Sequence, residues 1–312
     1  MFCGKLGRVA TLVVDCGGLG LKAALFDDVG NQLGERLRVP TPYPLPPARL
    51  CDAIASLGEQ LTSSFRDPAL RLHRPQDDVI EQTLVLPKQG VYSMTVGENA
   101  ATRPNGPNYP AIERVVVGMP GMIRRGRVVY TPHYINVAGP HTEVVPALAE
   151  QWAGCDIESL ISQRLGVPAK VMNDAELHGL GVITGRGCEL VLTLGTGLGT
   201  AWFDDGVLAP HLELSHAPVR IGEMILGLGR KPNLTYDQFI GDHELQRLGP
   251  DHWSDRVLSV VDSLQPVFQW DHLYLGGGNA ANIAPWAVAR LPANVTIVPN
   301  ESALTGGLKA FQ

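Results

Sequence analysis

The chain has no paired cysteines, no surplus of basic residues, no long apolar run and no GxxxxGK[ST] element, and each lack removes a class of protein. Its five cysteines (Cys3, Cys16, Cys51, Cys155 and Cys188) are widely spaced and odd in number, with no CxC or CxxC pair. A disulfide framework or a structural zinc site is therefore not expected. A net charge of −6 offers no basic footprint for nucleic acid. Lys5 and Arg8 precede an apolar run that Asp15 cuts short, too little for a signal peptide or a membrane span, so a cytoplasmic protein is expected. Without GxxxxGK[ST], P-loop enzymes are excluded. What remains is an ordinary globular composition, with 45% hydrophobic and 18% charged residues in a chain of 312. That length suits about two α/β domains, each with its own core.

Two glycine-rich bends stand between apolar runs. The first, Asp15-Cys16-Gly17-Gly18-Leu19-Gly20, lies between Thr11–Val14 and Leu21–Phe26. The second, Gly195-Thr196-Gly197-Leu198-Gly199-Thr200, lies between Leu190–Leu194 and Ala201–Phe203. Each reads as a β-hairpin whose bend lets backbone N–H groups approach phosphate oxygens. Together they read as two clamps on one polyphosphate. Further strand-like runs fall at 115–117, 169–172, 273–275 and 295–298, and helical patterns at 47–65, 156–165, 174–184, 252–266, 280–291 and 301–311. Strands feeding helices, with early hairpins, predict α/β layers built on mixed sheets. The proline-rich stretch 67–110, with one strand-like island at Thr83–Leu86, reads as an insertion or flap. A hinge is expected near Tyr130–Asn136, after the strand-turn Val115–Gly121.

Several side chains carry candidate chemistry. Asn173-Asp174 ends a strand and opens a helix, the place where α/β proteins set their ligands. A carboxylate there would take the proton of a substrate hydroxyl attacking a γ-phosphate, or would cap the helix. Asp15, beside the first bend, would hold Mg²⁺ through water or brace the turn. Glu213 and His216, three apart after the second hairpin, would meet sugar hydroxyls or serve as structural residues. Gly276-Gly277-Gly278-Asn279 is a turn that either admits a nucleoside or is a tight βα connection capped by Asn279. Arg124, Arg125 and Arg127 would line a polyanion track or solvate a hairpin.

The order Asp15-Cys16-Gly17-Gly18, Gly118-Met119-Pro120-Gly121, Asn173-Asp174, Leu194–Gly199, Glu213-x-x-His216 and Gly276-Gly277-Gly278 resembles the ROK sugar kinases. Leu21–Leu25, Arg38–Pro42 and Asp205–Leu208 are most similar to their polyphosphate/ATP glucokinase branch. The resemblance implies an actin-like ATPase (RNase H-like) fold, α/β, with two domains of mixed sheets flanked by helices and a cleft between them. A small N-terminal domain is expected over 1–135, with 300–312 packing back on it, and a large C-terminal domain over 136–299. By the same resemblance Asp174 is the general base, and Asn136, Asn173, Glu213 and His216 hold the sugar. Gly17, Gly18, Thr196 and Gly197 line the phosphate path, and Gly277 and Gly278 meet the nucleoside. ATP or polyphosphate with Mg²⁺ is the implied donor, glucose 6-OH the first acceptor to test, and a homodimer the implied assembly.

The sequence departs from the family at Leu19, where a hydroxyl residue is usual, and at Ser215, where glycine is usual. The family's zinc-binding cysteines are absent, a further sugar-contacting glutamate is matched only by Glu223, and the repressors' helix-turn-helix finds no room before Val13. Leu19 and Ser215 favour a second reading, a catalytically silent sugar-binding or regulatory protein. Retention of both Asp15 and Asp174 speaks against it.

Overall fold

The structure, a computed structural model, describes residues 9–63, 80–81, 111–219, 234–300 and 302–311. Glu223, the island at Thr83–Leu86 and nearly all of the expected flap lie outside the described residues. Two sheets are laid down one after the other. The first contains β1 (Val9–Cys16), β2 (Gly20–Phe26), β3 (Gln32–Pro40), β4 (Ile80–Glu81), β5 (Ala111–Met119) and, beyond a hairpin of β6 (Met122–Arg124) and β7 (Arg127–Tyr130), β8 (Ala169–Asn173). The second contains β9 (Cys188–Leu194), β10 (Leu198–Asp204), β11 (Val207–Leu208), β12 (His272–Gly276) and β13 (Val295–Ile297). Among the described residues their orders are β4-β3-β2-β1-β5-β8 and β11-β10-β9-β12-β13. The helices are α1 (Pro47–Ser63), α2 (Pro146–Trp152), α3 (Ile157–Leu165), α4 (Asp174–Val182), α5 (Tyr236–Ile240), α6 (Asp242–Phe268), α7 (Pro285–Val288) and α8 (Ser302–Gly306).

The two sheets repeat one plan. β1 pairs antiparallel with β2 and parallel with β5, which pairs parallel with β8. β9 pairs antiparallel with β10 and parallel with β12, which pairs parallel with β13. Both glycine bends are therefore hairpin turns in equivalent places. Ala10, Leu12, Val13 and Val14 of β1 are all fully buried, as a strand covered on both faces requires. One face lies under α1, which turns Leu50, Ala53, Ile54, Leu57 and Leu61 inward at helical spacing. The other face meets Leu177 of α4 and Leu304 of α8.

The change of sheet falls between β8 and β9: β8 and the core residues Trp152, Ile157 and Ile161 belong with the first sheet. The segment after Gly306, a 3₁₀ helix over Gly307–Phe311, packs on that sheet too, with Gly307 against Val13. α4 and α8 cross backbone to backbone: a Cβ on Gly181 would meet the Ser302 carbonyl, and one on Gly306 the Leu177 carbonyl. Just beyond α4, Glu189 is fully buried. Its carboxylate accepts from the amides of Thr184 (2.7 Å), Gly185 (2.7 Å) and Arg186 (3.1 Å), and from the hydroxyls of Thr184 (2.9 Å) and Tyr274 (2.8 Å).

Two helical expectations are corrected. The pattern at 280–291 yields only a 3₁₀ turn over Ala280–Asn282 and the short α7. Pro285 holds Ala284 extended (φ −63°, ψ 143°) and so breaks the run. The pattern at 252–266 is the later part of α6, which starts at Asp242 and is interrupted at Gly249 (φ 73°), next to Pro250. No helix among the described residues is long and apolar enough to cross a membrane.

Candidate active site

The ends of β1, β5, β8, β9 and β12 open onto one cleft of about 910 Å³ between the sheets, large enough for a small-molecule pair. Asp15, Gly17, Gly18, Asn173, Asp174, Thr196, Gly197, Glu213, His216, Gly277 and Gly278 all line it. At the first bend, Gly17 N–H donates to the Gly20 carbonyl (2.8 Å). Tyr134 Oη donates to the Cys16 carbonyl (3.1 Å), Thr41 Oγ1 to that of Gly17 (2.9 Å), Tyr43 Oη to that of Gly18 (2.9 Å) and Thr41 N to that of Leu19 (3.3 Å). With those carbonyls and the Gly17 amide occupied, the amides of Gly18 and Leu19 are what the tip of the loop has to offer an anion. At the second bend Leu198 N donates to Asp237 Oδ1 (2.7 Å). The triple-glycine turn is tied to it: Asn279 donates its amide nitrogen to the Leu194 carbonyl (2.9 Å) and its Nδ2 to that of Gly195 (3.0 Å). Asn279 is thus a brace between loops and makes no side-chain cap. Gly277 (φ 85°) packs against the Leu194 backbone, where no side chain fits.

The helix cap at the base of the cleft is Asn173 rather than Asp174. Asn173 Oδ1 accepts from Ala175 N (2.8 Å), while Glu176 Oε2 reaches back to accept from Asn173 N (2.9 Å), a capping box. Asn173 Nδ2 donates to the Gly121 carbonyl (2.9 Å), joining α4 to the turn after β5. Asp174 is thereby released from capping and its carboxylate lines the cleft. Burial, then the charges of Asp15 and Glu213, raise its pKa to about 7, against smaller lowering effects of the Ala175 amide and His211. If the ionised form is the working one, kcat/KM falls tenfold per pH unit below about 7, and a pH profile flat down to 5 would remove Asp174 from the proton transfer.

Glu213 is held on both oxygens, by Ser215 Oγ (2.6 Å) and by His211 Nε2 (3.4 Å). Burial alone would raise its pKa, but these two bonds outweigh it and hold the group below the usual carboxylate range. His216 stacks edge-on against Tyr130 with centroids 5.5 Å apart. Asn136 does not line the cleft: its Nδ2 donates to the carbonyls of Gly139 (3.2 Å) and Thr142 (3.1 Å), bracing the loop before α2.

Arg124, Arg125 and Arg127 also miss the cleft. Arg127 pairs with Asp156 (2.9 Å) beside α3, the solvated-hairpin arrangement. Among the described residues, the lysine and arginine that do line it are Lys22 and Arg38. Strand register places Asp15, Lys22 and Arg38 in one row across β1, β2 and β3, with Lys22 Nζ 3.1 Å from Asp15 Oδ2. Counting outward from the first bend pairs residue 15 with 22, so this signal is present in the sequence. His133 and His141, which also line the cleft, sit in irregular backbone with no periodicity to announce them. Burial, with the charge of His141, lowers His133 to about 4, so it is neutral at pH 7. Among the described residues no three His, Cys, Asp or Glu side chains stand together as a metal site. A cation here would rest on Asp15 and the donor, which suits Mg²⁺, a metal that binds through few carboxylates and keeps its waters.

No family model matches the chain. It is 22% identical to the polyphosphate glucokinase of Mycobacterium tuberculosis over 307 residues, covering 95% of this chain and 87% of that protein. Among solved structures it is similar to an inorganic polyphosphate/ATP-glucomannokinase from Arthrobacter sp. strain KM, at 25% identity and a TM-score of 0.66, with 97% and 98% of the two chains covered. It also superposes on a ROK family glucokinase from Streptomyces griseus, solved with glucose and AMPPNP, at 16% identity and a TM-score of 0.61 over 96% and 98% of the chains. The expected actin-like ATPase fold is borne out, as is the resemblance to the ROK kinases.

Proposed function

We propose that this chain is a ROK-type hexose kinase that moves the terminal phosphoryl group of ATP to a hexose hydroxyl, with the 6-OH of glucose as first acceptor. The observation that carries the reading is Asp174: a carboxylate freed from capping, raised to about 7, in a cleft between two glycine loops. Glu213, His216 and Asn173 hold the sugar so that its hydroxyl meets Asp174. As the oxygen attacks the terminal phosphorus, Asp174 takes the proton, the new O–P bond forms and the bond to the leaving ADP oxygen breaks. Lys22, Arg38 and the loop amides meet the charge developing on the phosphoryl oxygens. Asp15 would hold Mg²⁺ through water, and the ion would supply charge neutralisation to the donor. Closure of the cleft excludes water as a competing acceptor. A cytoplasmic homodimer belongs to the same proposal.

Coupled ADP release across a panel of hexoses tests the reading, and no release with any of them would leave a sugar-binding protein without kinase activity. The donor has its own test. Replacing Arg124, Arg125 and Arg127 together should leave ATP-dependent turnover within about twofold, since screening weakens exposed charges beyond a Debye length of roughly 8 Å. Lys22→Met should lower it by about 10²-fold, the scale of one lost donor to transition-state charge. The opposite order of effects would put the donor on the β6–β7 hairpin and favour polyphosphate over ATP.

A further inference from the structure

We infer that His211 is a positioning residue that couples Glu213 to the capping box at the start of α4. The inference rests on the kinase reading and extends it to a residue outside the cleft. His211 is buried, with Nδ1 3.2 Å from Glu176 Oε1 and Nε2 3.4 Å from Glu213 Oε2. The other Glu176 oxygen accepts from Asn173 N, and the other Glu213 oxygen from Ser215 Oγ. One continuous line of hydrogen bonds therefore runs from the backbone of Asn173, next to Asp174, to the carboxylate assigned to the sugar.

The chemistry of the ring explains why a histidine serves here. Ionised carboxylates only accept, and a neutral imidazole has a single N–H, so it satisfies one glutamate and presents a lone pair to the other. Only the imidazolium donates to both. Around the ring, α4 contributes Glu176 and, farther off, Asp174, and its own loop contributes Glu213. β9, β10 and α6 contribute Leu190, Thr200, Trp202 and Phe268, none of them titratable. Thr200 Oγ1 donates to the Leu212 carbonyl (2.8 Å) and fixes the loop beside the ring. Burial opposes the proton on His211, but the bonds to Glu176 and Glu213 outweigh it and raise the group to about 9. The coupling is thus present below that pH and is lost as pH rises through it.

The test is glucose KM and kcat of the intact protein at saturating ATP and Mg²⁺, from pH 7 to 10, for wild type and His211→Gln. Wild-type KM should be constant to about pH 8 and then rise about tenfold, the scale of one charge-assisted hydrogen bond, while kcat changes much less. In His211→Gln, KM should be raised about tenfold already at pH 7 and stay flat with pH. A wild-type KM that stays flat to pH 10 overturns the inference, as does a variant whose KM is within twofold of wild type while its melting temperature falls. If the variant does not fold, the wild-type profile decides alone. Wild type that turns over no hexose sinks the kinase reading instead; glucose affinity by calorimetry over the same pH range then judges His211, with the same rise in Kd expected. Absence of glucose binding by wild type overturns both.

Discussion

Asp174→Asn lowers turnover by about 10²–10⁴-fold, the range that general acid–base help supplies. The substitution is nearly isosteric, and Asp174 Oδ1 makes only a local contact to the Ala175 amide (3.0 Å). The helix keeps its cap, because the cap is Asn173. Stability should therefore change little, and glucose affinity should be retained, since an amide still hydrogen-bonds a hydroxyl. The loss should fall on kcat, the pattern of an interaction needed only in the transition state. The acid limb near pH 7 should vanish with it. A variant with near-normal turnover would reduce Asp174 to a cleft-lining residue.

Glu189→Ala is expected to cost about 1–3 kcal/mol of unfolding free energy, with no direct effect on chemistry. Its carboxylate gathers five donors from Thr184, Gly185, Arg186 and Tyr274. Truncation leaves the buried Tyr274 hydroxyl without an acceptor, while Thr184 and Arg186 are exposed and can turn to water. Burial pulls the Glu189 pKa upward, but these bonds outweigh it and hold it below the ordinary 4.5. A depressed carboxylate stabilises the fold above its unfolded pKa, and that contribution is lost as pH falls through the folded value. Denaturant titrations at pH 7 and pH 3.5 should show the gap between wild type and variant narrowing at the lower pH. An equal gap at both would mean that packing, not charge, is what Glu189 supplies.

Local signals were legible and pairings across the fold were not. The glycine bends and the apolar runs beside them announce both hairpins, because strand and turn chemistry is written within a dozen residues. Asp174 was placed at a strand end by the same local logic, but whether it capped α4 depended on Glu176 reaching back to Asn173. The apolar spacing at 280–291 is helical, but Pro285 holds Ala284 extended and breaks it. Nothing in Ala169–Asn173 says that the neighbour of β8 is β5. Asn136, carried over by resemblance alone, is engaged with its own loop. His211 has no motif at all: its meaning lies in two glutamates, one of which, Glu176, is 35 residues away in the chain.

The α4–α8 crossing has a mechanical consequence. α4 carries the chain from β8 of one sheet to β9 of the other, and α8 brings it back from β13 to rest on β1. Both covalent passages therefore meet at Gly181 and Gly306, where bare backbones touch. Beside that bare contact Leu177 and Leu304 lock the pair onto β1, so the junction between the halves is a fixed seam. A methyl group at either glycine would run into a backbone carbonyl and wedge α4 and α8 apart. Because α4 also carries Asp174 at its start, such a wedge would reach the cleft without touching any group in it.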